Sequence, residues 1–286
     1  MALGLLLLSL PADSSRPWWR LGLLLVLLLL AVWDRQFRPA DGPLMVESPY
    51  NCMLIHESRD RGRPVRILST DPDYSQSGMY LDDPDELYFD YTRFYALAVL
   101  ARPQARDILM LGGGGGSVPK WLLSGKSGLD AAGLRLTVVE LDPGMTAVAR
   151  RWFFLPGDDP RLRLIHADAR TFLNRRQEQY DILLVDVFNS CYSIPFHLGT
   201  QEAFAAMRRA LRPGGVMFFN FKYGQGLRRS PDGRRFTDMD EAGVRGLLEE
   251  LPGLVCLEMT TGEDDRAAEL RERWIQVLVR RAPSSD

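Results

Sequence analysis

At 286 residues, with 46% hydrophobic and 25% charged residues, the chain can bury a sizeable core and is not globally disordered. Its formal net charge of -2 and isoelectric point near 6.0 exclude a protein built around a basic nucleic-acid-binding surface. The three cysteines, Cys52, Cys191 and Cys256, form no CxxC pair, so the sequence indicates neither a metal site nor a disulfide framework.

The first forty residues differ in composition from the rest of the chain. Leu21–Trp33 is an uninterrupted apolar run, shorter than the roughly 20 residues that span a bilayer. The two arginines within residues 16–20 fit a signal peptide, but no small-residue cleavage site follows the run. The two tryptophans there are typical of interfacial anchors. We therefore favour an uncleaved membrane anchor over a cleaved signal, with its orientation open.

The next segment, residues 41–83, contains two β-prone stretches at residues 51–57 and 65–70, separated by a turn. This pattern predicts a small β-hairpin subdomain. Residues 85–102 have acidic side chains at the start and an arginine at the end, which predicts one helix closed by Pro103.

From residue 107 onwards, strand and helix patterns alternate. The predicted strands are residues 107–111, 134–140, 161–166, 181–187 and 215–221; the predicted helices include residues 118–123, 146–153 and 201–211. Residues 254–259 and 274–280 predict an antiparallel pair near the C-terminus. Several strands are apolar almost throughout, as in a parallel sheet covered on both faces. The sequence therefore predicts three parts, 1–40, 41–83 and 84–286, the last a doubly wound α/β domain.

Five consecutive glycines follow the first strand of this series: Gly112, Gly113, Gly114, Gly115 and Gly116. The predicted helix of residues 118–123 follows them closely. Exposed backbone amides at such a strand-to-helix junction bind nucleotide-type ligands. We interpret the glycines as a ligand loop rather than a structural turn.

Two acidic residues end the next two predicted strands. Glu140 lies 24 residues after Gly116, where a carboxylate can accept hydrogen bonds from both ribose hydroxyls. Asp168, with its neighbour Ala169, is a candidate contact for an adenine amino group. The alternatives are a solvated strand-end acid for Glu140 and a helix cap for Asp168.

Asp186 ends the fourth apolar strand, beside the expected ligand crevice. A carboxylate in that position can act as a base toward an incoming nucleophile, and a structural cap is the alternative. His197, in the loop that follows, is a weaker candidate for the same role.

Residues 46–280 resemble the spermidine synthase (polyamine aminopropyltransferase) family, most closely the branch often joined to membrane-spanning segments. The matching stretches are ESPYN, YSQSG, DELYFDY, LGGGGGS, VVELDP, ADARTFL and YDILLVDVFNSCYSIPFHLGTQEAF. The resemblance implies a Rossmann-like class I S-adenosylmethionine-dependent transferase fold with a small N-terminal β subdomain. It also implies transfer of an aminopropyl group from decarboxylated S-adenosylmethionine to a small-molecule amine.

The resemblance places Gln76, Glu140, Asp168 and Asp186 on binding or catalytic positions of the family, with Asp186 as the proton acceptor. Three positions depart from the family pattern. Gly115 stands where an aspartate usually holds the cationic amine of the donor. Asn189 replaces a second acidic residue, and Phe89 replaces a tyrosine. Each change removes a charge or hydrogen-bonding group that a polyamine site would use.

Two other classes of function stay open. A methyltransferase would use intact S-adenosylmethionine, whose carboxylate suits bare glycine amides better than an aspartate. A non-catalytic nucleoside-binding relative would keep the fold without turnover. We expect the chain to be tethered to a membrane with its catalytic domain in the cytoplasm, and a second copy of the chain is kept as a candidate partner.

Overall fold

The structure, a computed structural model, describes residues 22, 25–27, 43–71, 74–175, 177–187, 195–229, 235–263 and 273–283. The chain divides into two compact units, Met1–Gly42 and Pro43–Asp286. In the first unit, residues 22 and 25–27 are helical. Within the described ranges, no helix has the length and apolar character needed to cross a membrane. Most of the predicted anchor lies outside the described residues, so the anchor stays a prediction.

A four-stranded antiparallel sheet opens the second unit. Its strands, in spatial as in chain order, are β1 Leu44–Glu47, β2 Cys52–Asp60, β3 Arg63–Asp71 and β4 Tyr74–Tyr80. The predicted hairpin is confirmed as β2 and β3, and β1 and β4 extend it on either side. Alternate side chains of the sheet, such as Met53, Leu68 and Met79, are buried against the helix Pro143–Trp152.

The remaining strands build a second, seven-stranded sheet and a small separate pair. The strands are β5 Asp107–Leu111, β6 Arg135–Glu140, β7 Leu162–His166, β8 Tyr180–Val185, β9 Leu211–Lys222, β10 Gly226–Arg229, β11 Arg235–Asp238, β12 Leu254–Glu263 and β13 Arg273–Arg281. The large sheet has the order β12-β13-β9-β8-β5-β6-β7, and β10 pairs only with β11. β5 to β9 are parallel and β12 and β13 antiparallel, as predicted.

The sheet order reverses at β5, which has β6 on one side and β8 on the other. In open α/β sheets, ligands bind outside the carboxyl ends of the strands at such a switch point. The glycine loop follows β5, and Asp186 follows β8. The doubly wound α/β prediction is therefore confirmed, and the topology places the two strongest candidate features side by side.

The described helices of the second unit are α1 Asp90–Arg93, α2 Ala96–Ala101, α3 Ser117–Leu123, α4 Pro143–Trp152, α5 Ala169–Arg175, α6 Gln201–Ala210 and α7 Glu241–Glu249. Most of them lie close to the predicted bounds. α4 begins three residues earlier than predicted, because Asp142 caps it by accepting the Gly144 N–H at 2.8 Å and Pro143 provides the first helical residue.

The prediction of one helix over residues 85–102 was wrong. Only α1 and α2 are helical there, and Phe89 is extended. The reason is aromatic packing, since the Tyr88 ring lies against Gly78 and meets the Tyr80 ring edge-on at 5.2 Å. These contacts hold the preceding residues against β4, and α1 starts only after them.

The predicted start of β9 was also wrong. The strand begins at Leu211, directly after α6, and not at Gly215. Tyr180 pairs with Leu211 but Ile182 pairs with Val216, so the residues between them form a bulge. Gly214 has a φ of 76°, which explains why a glycine occurs within this bulge.

Apolar layers cover both faces of the large sheet. One layer packs α5, α6 and α7 against one face, and the other packs α2 and α3 against the opposite face. All six residues of β8 are buried. This continuous burial is why the predicted strands are apolar almost throughout.

Candidate functional site

The glycine loop runs from the end of β5 to the start of α3. Three of its residues have left-handed backbone conformations: Gly112, Gly114 and Gly116, with φ of 85°, 48° and 79°. A Cβ at Gly112 would lie 2.1 Å from the Asp186 carbonyl oxygen. Glycine is therefore required at Gly112 both by its conformation and by the close approach of the neighbouring strand.

Glu140 closes the loop from the adjacent strand. Its Oε2 accepts the N–H groups of Gly113 at 2.9 Å and Gly114 at 3.2 Å, and its Oε1 accepts the Asp142 N–H at 2.9 Å. Three hydrogen bonds to one carboxylate fix the shape of the loop. A carboxylate has about four lone-pair sites, so Oε1 keeps capacity for one further donor such as a ribose hydroxyl. The ribose contact itself stays a prediction.

The β4 strand supplies the other wall of the loop. Ser77 Oγ accepts the Gly115 N–H at 2.8 Å and donates to Gln76 Oε1 at 2.9 Å. The Gln76 side chain faces Gly114, where a Cβ would lie 3.1 Å from its Nε2. The structure therefore brings Gln76 to the glycine loop, as its predicted binding role requires. A Cβ at Gly115 would lie only 2.7 Å from the Ser77 Cβ.

Asp168 lies at the start of α5. Its Oδ1 accepts the Thr171 N–H at 2.8 Å, which is the geometry of a helix cap. Its Oδ2 lies 3.0 Å from the His197 Nε2. Burial alone would raise the pKa of Asp168, but the Thr171 donors and the His197 ring hold it below its usual value. Ala169 is buried beside it, and the predicted adenine contact of these two residues stays a prediction.

Asp186 directly follows β8. Its N–H donates to the Leu111 carbonyl at 2.8 Å, so the parallel pairing with β5 continues to this residue. Burial raises the pKa of the Asp186 carboxyl from its ordinary value of 3.8 to about 6, and the charge of Glu140 adds to the rise. A hydrogen bond from the fully buried Tyr95 acts in the opposite direction. A carboxyl group with a pKa near neutrality can both take and release a proton.

A pocket opens between the glycine loop, β4 and the α1 segment. Its described lining residues are Gln76, Ser77, Gly78, Phe89, Tyr91, Thr92, Met110, Gly113, Gly114, Ser117, Val118 and Asp186. It therefore joins three predicted site elements, the loop glycines, Gln76 and Asp186. Among the described residues, its lining does not include Asp168 or His197, which contact each other instead.

Sequence reasoning missed Ser77 and Tyr91, which line this pocket, and Tyr95, which interacts with Asp186. Tyr91 and Tyr95 are spaced four apart, a pattern that places two side chains on one helical face and could have indicated them. No spacing indicates Ser77, because its role depends on the approach of β4 to the loop. Asn189 lies outside the described residues. Within the described part of the chain, no three histidine, cysteine or acidic side chains group as a metal site.

The parallel sheet with a glycine loop after β5 and an acid at the end of β6 has the Rossmann-like fold that S-adenosylmethionine-dependent transferases share. Two solved structures share this fold. A probable spermidine synthase from Corynebacterium glutamicum has a TM-score of 0.60 and 23% identity, covering 85% of this chain and 80% of that one. A spermidine synthase in complex with the transition-state analogue AdoDATO has a TM-score of 0.54 and 18% identity, with 82% and 72% covered.

Residues 91–222 match the spermine/spermidine synthase domain. The polyamine aminopropyltransferase of Vibrio vulnificus is 33% identical over 181 residues, which cover 61% of this chain and 57% of that protein. The probable polyamine aminopropyl transferase of Bifidobacterium longum is 28% identical over 240 residues, covering 79% and 51%. The chain thus spans little more than half the length of these relatives. Through residues 91–222 the chain is similar to the spermidine synthase family.

Proposed function

We propose that the chain transfers an aminopropyl group from decarboxylated S-adenosylmethionine to the nitrogen of an amine. The observation that carries this proposal is the position of Asp186, a carboxylate with a pKa raised to about 6 that faces a pocket beside the glycine loop. The family supports the reaction type. The names of the similar Vibrio and Bifidobacterium proteins support the same donor chemistry.

In the proposed reaction, the acceptor nitrogen attacks the donor carbon next to the sulfonium. A C–N bond forms, and the C–S bond breaks with its electron pair going to sulfur, which leaves as a neutral thioether nucleoside. The acceptor amine is protonated in neutral solution, so it must lose one proton before attack. Asp186 attracts the ammonium and accepts that proton.

The donor is proposed to lie across the glycine loop. Glu140 would accept from the ribose through the free capacity of Oε1, Asp168 and Ala169 would contact the adenine, and Gln76 would face the reacting end. These roles are supported by placement, since Glu140, Asp168 and Ala169 lie at the carboxyl ends of parallel strands and the Gln76 side chain faces Gly114.

Gly115 gives no carboxylate to pair with the amine of a decarboxylated donor. That observation favours a second candidate, methyl transfer from intact S-adenosylmethionine. A non-catalytic relative would bind a nucleoside without turnover.

Mass spectrometry separates these candidates. The purified chain is analysed for retained nucleosides and is then incubated with each donor and a panel of amines. Aminopropylated products formed only with the decarboxylated donor are expected. Methylated products would support the second candidate, and a retained nucleoside without any product would support the third.

We further propose that residues 1–38 tether the domain to a membrane, on the basis of the apolar run Leu21–Trp33. The domain is placed on the cytoplasmic side because donors of this kind are made there. Removing residues 1–38 is expected to move the protein from the membrane fraction to the soluble fraction with its melting temperature unchanged. Full-length protein found wholly in the soluble fraction would contradict the tether.

Size-exclusion chromatography of the truncated chain tests the predicted homodimer, which an apparent mass of one chain would contradict.

A further inference from the structure

We propose that Asp142 is a positioning residue of the donor site, held by the turn between β1 and β2 so that Glu140 presents its Oε1 to the donor ribose. This inference rests on the proposed donor-binding role of Glu140 and adds the residues that keep Glu140 in place. It also gives a function to the ESPYN stretch, residues 47–51, whose Ser48 and Asn51 side chains act through Asp142.

Asp142 is a buried acid with both carboxylate oxygens hydrogen-bonded. Its exposed fraction is 1%. Oδ1 accepts the Gly144 N–H at 2.8 Å and so caps α4. Oδ2 accepts the Ser48 hydroxyl at 2.6 Å and the Asn51 side-chain amide at 2.8 Å. A buried carboxylate is costly unless it is hydrogen-bonded, so these three donors hold the side chain in one orientation.

The turn between β1 and β2 is itself ordered so that it presents two donors. Ser48 Oγ accepts the backbone N–H of Tyr50 at 3.1 Å and of Asn51 at 2.9 Å. The Ser48 proton goes to the Asp142 carboxylate at 2.6 Å in preference to the Asn51 carbonyl at 3.2 Å, because the carboxylate is closer and charged. A Cβ at Gly144 would lie 2.6 Å from the Ser48 Cβ. The turn therefore lies directly against the first turn of α4.

The backbone of Asp142 continues this contact to the glycine loop. Its N–H donates to Glu140 Oε1 at 2.9 Å, while Glu140 Oε2 accepts the N–H groups of Gly113 and Gly114. The side chain that the turn holds and the N–H that holds Oε1 belong to one residue. Fixing the Asp142 carboxylate therefore fixes the oxygen that has capacity for a ribose hydroxyl.

A helix cap alone would not require the contacts with the turn. Oδ1 is enough to cap α4, whereas the donors to Oδ2 come from residues 91 and 94 positions away in the sequence. A cap without a positioning role predicts lower stability and unchanged affinity per folded molecule. The positioning role predicts a loss of affinity that depends on the ribose hydroxyls.

The first variant is Asp142→Asn in the full chain. Asparagine keeps an oxygen for the Gly144 N–H but sets an NH₂ group against the Asn51 amide, so two donors meet. The probe is 5′-methylthioadenosine, the thioether nucleoside that the proposed reaction releases. We expect calorimetry to show at least about tenfold weaker binding, with kcat at saturating decarboxylated donor within about threefold of wild type.

The 2′,3′-dideoxy form of the same nucleoside identifies the atoms responsible. Loss of the hydroxyls should weaken binding to wild type at least about tenfold, and binding to Asp142→Asn less than about threefold. An equal loss in both proteins, or no loss in wild type, would overturn the inference and leave the proposed transfer intact. If wild type binds neither nucleoside and transfers no group, the proposed function is overturned and the inference with it.

An exchange of donor and acceptor provides a rescue. Asn51→Asp alone places two carboxylates together and should weaken nucleoside binding at least about tenfold, whereas Asn51→Asp with Asp142→Asn should bind within about threefold of wild type. A folded double variant that binds as weakly as the single variants would contradict the inference. If Asp142→Asn does not fold, Asn51→Ala, which leaves the carboxylate and its cap in place, is compared with wild type on the two nucleosides, and an unchanged hydroxyl preference would overturn the inference.

Asp240→Asn is the matched control. Asp240 caps α7 by accepting the Gly243 N–H at 2.8 Å, and it accepts the Gln225 side-chain amide at 2.7 Å. This helix contacts β12, which forms one edge of the large sheet, whereas Glu140 ends β6 on the other side of β5. We expect nucleoside affinity in this control within about twofold of wild type. A loss as large as that in Asp142→Asn would overturn the positioning role, because it would attribute the effect to the loss of any helix cap.

Discussion

Two aspartates at the same edge of the sheet have opposite environments. Asp168, after β7, accepts a backbone N–H and contacts a histidine ring, and its pKa is held below the usual value. Asp186, after β8, lines the pocket beside the glycine loop, and burial raises its pKa to about 6. Strand-end position is common to both residues, so position alone does not set their chemistry. Their neighbours make one a charged binding group and the other a group that can exchange a proton.

The largest expected effect on turnover comes from removing the carboxylate that accepts the proton. Asp186→Asn keeps the size of the side chain but cannot accept a proton. We expect turnover to fall by at least about 10² at pH 7.5, with donor binding nearly unchanged, because general base catalysis contributes about 10² to 10⁴. Steady-state kinetics and calorimetry of donor binding measure the two quantities. Loss of stability with an unchanged rate per folded molecule would instead identify Asp186 as a structural cap.

The effect of Asp186→Asn on the free energy of unfolding depends on pH in a definite direction. Because the folded-state pKa of Asp186 is raised, the folded state binds the extra proton between about pH 4 and 6. Wild-type stability is therefore lost as pH rises through that window. Asparagine does not ionise, so the variant does not lose stability as pH rises through this window. At pH 8 the variant should be at least as stable as wild type, and the difference in stability should disappear near pH 4. The gain is at most about 3 kcal/mol for a shift of about 2 units, and less for a partly exposed group.

Replacing the other aspartate should affect binding and not chemistry. Asp168→Asn keeps the helix cap but loses the charge. We expect the donor KM to rise about tenfold with kcat within about threefold. The sign of its stability effect is opposite to that of Asp186. Because the pKa of Asp168 is lowered, its contribution is present above pH 4 and is lost as pH falls further. The variant should therefore be less stable than wild type at pH 7 and equal to it near pH 2. A kcat loss as large as that of Asp186→Asn would erase the distinction between the two aspartates.

The preference of the site for one donor over the other can be altered by substitutions at Ser77 and Gly115. Ser77 occupies the space that a side chain at Gly115 would need, so Gly115→Asp alone should destabilise the loop. The double variant Ser77→Gly with Gly115→Asp removes that collision and adds the missing carboxylate. It should shift the affinity ratio toward the decarboxylated donor by about ten- to a hundredfold, since a charge-assisted hydrogen bond contributes roughly 1.5 to 3 kcal/mol. Ser77→Gly alone is the control, and an unchanged ratio in the double variant would reject this account of Gly115.

The smallest effect is expected at His197. His197→Gln removes the ring that contacts Asp168 but leaves Asp186 and its pocket in place. We expect less than about a fivefold loss of turnover. A loss of turnover near 10² would instead identify His197 as the base in place of Asp186.

The strands and the main site residues could be predicted because their signals are local. Burial on both faces makes β5 and β8 apolar after Asp107 and Asp181, and the residue after such a strand lies at the ligand edge. The positions of the glycine loop, Glu140 and Asp186 at this edge were therefore predicted from the strand pattern, and their roles stay predictions.

The parts that were missed depend on contacts between distant segments. The break in the helix predicted for residues 85–102 comes from the packing of Tyr88 on Gly78 and Tyr80. The Ser77 contact with Gly115 joins residues 38 positions apart. The pKa of Asp186 likewise depends on burial and on Tyr95, which no pattern around Asp186 indicates.

The most direct test of the account is the titration of the Asp186 carboxyl group itself. Carbon-13 NMR of the chain labelled at aspartate side chains would follow each carboxyl resonance between pH 3 and 8, and the resonance missing in Asp186→Asn identifies the residue. The account predicts a midpoint near 6 for Asp186 and a midpoint below the usual aspartate value for Asp168. A midpoint for Asp186 at or below about 4 would contradict its assignment as the proton acceptor.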